Sequence, residues 1–195
     1  MQFQMFRLFQ PLLATGAVLA STAVVLATEN VNLSAHKSRL RLELPPGEAA
    51  QVLDLQKRFV IARNEPDAPT TREVVVTGQI GGMPNVWPET HPDFPWYRGQ
   101  ASFFLVDSKM AAQFAAHTRR HGGGEQCAFC KGLAAKNAHA IAVVNFVDEH
   151  GQVLRVDARK LLDLKENQTV TVRGKAKLLA GRMLVIDADG IFARR

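Results

Sequence analysis

The chain reads as mainly β: a small five-stranded barrel with a short helix between its third and fourth strands, an N-terminal helix, and an inserted helix-loop. Three observations carry this expectation. Short runs rich in β-branched and aromatic residues recur after residue 71, which is the composition of strands. Turn-forming residues separate several of the runs, as in Asp148-Glu149-His150-Gly151. One short helical stretch, Ala158-Arg159-Lys160-Leu161-Leu162-Asp163-Leu164, falls after the third strand region and before the last two.

The N-terminal region precedes this barrel. Arg7 is followed by an apolar stretch from about Leu12 to Ala27, then by polar Thr28-Glu29-Asn30. A basic residue, an apolar run and a small residue at its end form the pattern of a secretory signal, with cleavage near Ala27. The alternative is an uncleaved anchor, although the run is shorter than the ~20 residues of a full span. No cysteine lies near the cleavage point, which excludes a lipoprotein anchor. Residues 1–27 thus predict an exported, periplasmic or otherwise extracytoplasmic domain, associated with the membrane if the segment is retained.

Residues 28–71 are expected to form a peripheral helix and linker, with the helix packed on the following domain. Pro45-Pro46-Gly47-Glu48 has the composition of a helix start, and Val52, Leu55, Phe59 and Val60 then follow at helical spacing. Asn64–Thr71 is turn-rich. From residue 72 to 195 the predicted strands are Glu73–Ile80, Ala101–Asp107, Ala140–Asp148 with a continuation over Gln152–Asp157, Thr169–Leu178, and Met183–Ala193. Two long insertions interrupt them. Residues 81–100 hold both tryptophans and the single tyrosine, and residues 108–137 hold both cysteines. Long insertions in a compact barrel often carry function.

The order of strand, strand, strand pair, short helix, strand, strand resembles the OB-fold. The similarity covers roughly Arg72 to Arg195. It is closest over Thr169–Ala176 and Leu184–Ile191, where V-x-V-x-G and L-x-x-x-A-x-x-I look like the close of many bacterial exported OB domains. The resemblance implies a binding surface on the second and third strands and their loops. Phe103, Phe104 and Phe146 lie on those strands, and Trp87, Trp96, Tyr97 and Arg98 lie in the first loop. Aromatics beside arginine suit stacking on bases, but the same phenylalanines at alternating positions suit the barrel core. Export argues against nucleic acid as the partner. The exported haem chaperones of cytochrome c maturation are similar in barrel and N-terminal segment. They attach haem through a histidine near the C-terminus, and here no histidine follows His150.

The densest chemistry is His117, His121, Cys127 and Cys130, spaced H-x3-H-x5-C-x2-C. These are the only two cysteines in 195 residues. Lys109–His121 has helix-forming composition, so His117 and His121 stand one turn apart on one face. Gly122-Gly123-Gly124 permits a chain reversal. A tight turn over Cys127–Cys130 would then bring two thiolates over two imidazoles, a complete tetrahedral set for zinc, with copper(I) as the alternative. Four protein donors form a closed, structural site. A water in place of one donor, with Glu125 as the nearest base, would open it to hydrolysis. His139 is a substitute ligand, while His36, His91 and His150 are expected in solvent.

Other readings of the same residues remain. C-x2-C is a dithiol spacing, and an extracytoplasmic setting favours oxidation. Against it, the cysteines follow a glycine loop, not a strand leading into a helix, and the bridge would close little chain. Cys127-Ala128-Phe129-Cys130-Lys131 places lysine where c-type haem attachment has histidine. Two surface histidines beside two buried cysteines would need no function.

The formal charge of +6 and pI near 9.7 favour anionic partners, yet the cations are scattered along the chain. A hydrophobic content of 47% suffices for one domain with a real core. Nucleophile elbow, phosphate-loop and H-E-x-x-H signatures are absent. Asp187 and Asp189 share a strand face and are expected on its solvent side. The sequence therefore predicts an exported barrel with a His2Cys2 metal loop. A dithiol protein and an OB-type module for an anionic ligand are the alternatives.

Overall fold

In the computed structural model the described residues are 33–63, 69–121, 127–179 and 183–193, with the side chain of residue 121 excepted. The predicted signal or anchor segment, the glycine run at 122–124 and the turn at 180–182 lie outside them. The elements are α1 (33–40), β1 (Ala50–Gln51), α2 (Val52–Ala62), β2 (Thr71–Ile80), β3 (Ser102–Val106), α3 (Ser108–His121), α4 (Ala128–Lys136), a 3-10 turn (Ala138–Ala140), β4 (Ile141–Phe146), α5 (Ala158–Leu162), β5 (Thr169–Leu178) and β6 (Leu184–Ala193).

Five strands close into a barrel in the order β2-β3-β4-β6-β5, with β5 returning to pair with β2. All contacts are antiparallel except β4 with β6, which is parallel. The short helix α5 lies between the third and fourth barrel strands in sequence. The OB-like barrel read from the sequence is thus the architecture.

Burial follows from this closure. β5 alternates, with Val170, Val172 and Ala176 inside and Thr171, Arg173 and Lys175 outside, as a one-sided strand should. β3 is buried at every position and β4 at all but Asn145, because both faces are covered. Inward, Phe103, Leu105, Val144 and Phe146 join the main core with Val76, Ile186 and Leu161. Outward, Phe104, Val106, Ile141 and Val143 form a second core with Met83 of the first insertion and Ala111, Phe114 and Ala134 of α3 and α4. Both insertions therefore roof one side of the barrel together.

Three expectations are corrected. The helix expected to start at Pro45 begins at Val52. Gly47 takes φ 108°, which does not belong to a right-handed helix. Ala50 and Gln51 are held extended by parallel pairing with Val76 and Thr77. Second, the N-terminal helix packs on the barrel as expected, but the region is a part of the core and not peripheral to it. Leu40 and Val52 are fully buried in the main core with Leu55 and Phe59, and Arg41 bridges Ile191 of β6. Third, Gln152–Asp157 is not a strand. The turn forms, with Asp148 Oδ1 accepting from the His150 and Gln152 N–H groups, but only Val147 and Val153 pair across it.

Candidate metal centre

Asp107 fixes where the helix bearing the histidines starts. Its carboxylate is 1% exposed. Oδ1 accepts from the Lys109 and Met110 N–H groups at 3.0 and 3.4 Å, satisfying donors that a helix start leaves orphaned. Oδ2 accepts from the Leu53 N–H at 3.1 Å, so one side chain serves the first turns of both α3 and α2. Ala111 and Phe114 pack α3 onto the second core. His117 follows Phe114 by three residues, near the end of the helix.

The cysteines sit on a helix, not in the tight turn expected. Cys127 is the N-cap of α4, and its Sγ accepts from the Cys130 N–H at 3.3 Å. Cys130 lies in the first turn and is 2% exposed, while Cys127 is half-exposed. Cys130 Sγ stands 3.3 Å from His117 Nδ1. The two halves of the motif therefore meet. Phe129, between the cysteines, stacks on the His117 ring at 5.3 Å and 21°. It is 65% exposed and forms an apolar lid over the imidazole that sequence reasoning overlooked. Both cysteines are free thiols.

The local field separates the thiols. The Cys130 N–H and the Cys130 side chain, both donating to Cys127 at the helix start, lower the Cys127 pKa. The same side-chain bond, burial and proximity to Cys127 raise that of Cys130. A soft cation placed against such a pair would replace the Cys130 proton and relieve the repulsion between two thiolates. Among the described residues no three His, Cys, Asp or Glu side chains form a group around a potential ion position. The fourth expected donor, His121, closes α3 at the edge of the described chain.

Other singled-out residues lie elsewhere. His139 is exposed on the 3-10 turn and His150 is exposed in its hairpin turn. His91, expected in solvent, is partly buried among Trp87, Tyr97 and Phe104, with ring centroids 4.9–6.2 Å away. Trp87, Phe94 and Tyr97 each stack on Phe104, and burial raises the Tyr97 pKa. Trp96 is 7% exposed in the main core beneath the Arg159 guanidinium. Arg98 pairs with Asp93 at 2.9 Å. The first-loop aromatics thus roof the barrel. Asp187 and Asp189 pair with Lys177 and Arg173 across to β5, as their solvent-side placement predicts.

Among the described residues no helix is long and apolar enough to cross a membrane. The chain matches no protein-family model and no curated protein.

Proposed function

We propose that this barrel is an exported metal-binding protein whose ion is held by His117, His121, Cys127 and Cys130, with zinc the favoured ion and copper(I) the alternative. The observation that carries the reading is the 3.3 Å approach of Cys130 Sγ to His117 Nδ1. It joins helices that the sequence separates by a glycine-rich stretch. Thiolate and imidazole in contact suit a borderline or soft cation and no hard one. His121, one turn beyond His117 on the same helix, supplies the fourth donor by its spacing. A closed N2S2 set assigns the ion a structural or sensing role. Export follows from the N-terminal sequence pattern.

The test is elemental analysis of tag-free, fully reduced protein after exposure to zinc. About one ion per chain is expected, lost in Cys130→Ser and in His117→Ala. Cobalt(II) in its place should give the intense visible bands of a tetrahedral thiolate site. Reduced protein that retains no ion defeats the reading.

One observation favours a second reading, a dithiol–disulfide couple. Half of the objection to a strand-to-helix setting falls, since Cys127 caps the helix α4 and carries a lowered pKa. An ion-free chain that cycles reversibly between two thiols and one disulfide would establish it.

A further inference from the structure

Away from the cysteines, α2 and β2 enclose a cleft of about 510 Å³, within the range of small-molecule sites. Arg72 lines it, and its Nε is buried without a hydrogen-bond partner, the one such side-chain atom among the described residues. A buried N–H without an acceptor is costly, and native folds normally supply one. The guanidinium lies over the Phe59 ring, 5.7 Å from its centroid, so its position is held by a cation–π contact. Guanidinium donors form a rigid fork that matches a carboxylate. Four more charged side chains line the cleft: Arg58 and the carboxylates of Glu48, Asp54 and Glu73. All four are exposed, while Arg72 is half-buried. None of the five enters an ion pair among the described residues.

We infer that this cleft binds a small zwitterion of amino-acid type, with its carboxylate on Arg72 and its ammonium group toward the exposed carboxylates. The charge order selects this class. A polyanion would meet three carboxylates at the rim, and a simple cation would leave the Arg72 guanidinium without an anionic partner. The site shares no donor with the metal centre, so the two assignments stand or fall separately.

The experiment uses the full ¹⁵N-labelled chain and follows the Arg72 Nε–H resonance during titration with L-alanine, acetate or methylammonium. L-alanine should give a saturable shift, acetate a saturable shift requiring at least about tenfold more ligand, and methylammonium none; a tenfold difference corresponds to about 1.4 kcal/mol. Arg72→Lys lacks that resonance and is read from the backbone amides of Ala50, Gln51 and Val74, which line the cleft; their saturable response to alanine should be abolished. Asp54→Asn and Glu73→Gln, both at exposed positions, should weaken alanine severalfold and leave acetate unchanged, which keeps the test valid if the Arg72 variant does not fold. An absent or non-saturating alanine response, equal responses to all three compounds, or indifference of alanine binding to both carboxylate variants would overturn the assignment.

Discussion

Cys130 Sγ and His117 Nδ1 lie 3.3 Å apart although they belong to different helices. The contact couples a buried thiol to an imidazole, and the remaining thiol, Cys127, is bonded to the same Cys130 residue. Metal ligation needs both sulfurs as thiolates. Cys127 is already biased to that form and Cys130 is biased against it. Zinc binding should therefore release a proton chiefly from Cys130. Affinity should rise with pH up to and through the ordinary cysteine range, by about tenfold or more per unit while Cys130 stays protonated. Competition with a chelator of known affinity across that interval checks this, and a flat profile contradicts it.

The two thiols should differ in reactivity without metal. Thiolate is the nucleophile, and Cys127 combines a lowered pKa with partial exposure, while Cys130 is 2% exposed. Limited iodoacetamide treatment of the reduced, ion-free chain, read by peptide mass spectrometry, should label Cys127 first. Because its pKa is depressed, labelling should persist to lower pH than for an ordinary cysteine. Zinc should protect both.

Asp107→Ala should destabilise the fold by about 2 kcal/mol, since an N-cap removed from α3 costs about 1 kcal/mol and the part-buried Leu53 N–H loses its acceptor as well. Asp107→Asn should cost less, because one side-chain oxygen still accepts. Urea unfolding measures both. The alanine variant should also bind zinc more weakly, since Asp107 sets the start of the helix that carries His117.

Gly174 lies at a register irregularity in β5 opposite β6. A Cβ there would collide with the Asp187 carbonyl oxygen and stand 2.7 Å from Ala188 Cα. Backbone in a closed barrel cannot yield as a side-chain tip can, so Gly174→Ala should cost about 2–3 kcal/mol. Thermal or urea unfolding checks this. Gly99→Ala is a poor control because of its φ of 71°, whereas Gly132, with open space at its Cβ position, should accept alanine without loss.

Part of the candidate centre was legible. The histidine helix follows from the composition of Lys109–His121, and α3 ends at His121 as expected. The helix under the cysteines was missed because the glycine run read as a chain reversal and the C-x2-C spacing as a tight turn. Cysteine is also an uncommon N-cap, although Ala128-Phe129-Cys130-Lys131 and Leu133-Ala134-Ala135-Lys136 contain good helix formers. Gln152–Asp157 was misread because a turn signal does not specify how far pairing continues beyond it.

The sequence alone determined the barrel strands, the helix between the third and fourth, and the nearness along the chain of two histidines and two cysteines, since strand composition and helical spacing are properties of neighbouring residues. Tertiary structure alone decided that Leu40 and Val52 belong to the core, that β4 and β6 run parallel, and that both insertions roof the same sheet face. It also brought Cys130 onto His117. These outcomes depend on surfaces contributed by distant parts of the chain, as in the bridge from Arg41 to Ile191, and local sequence does not encode which surfaces will meet.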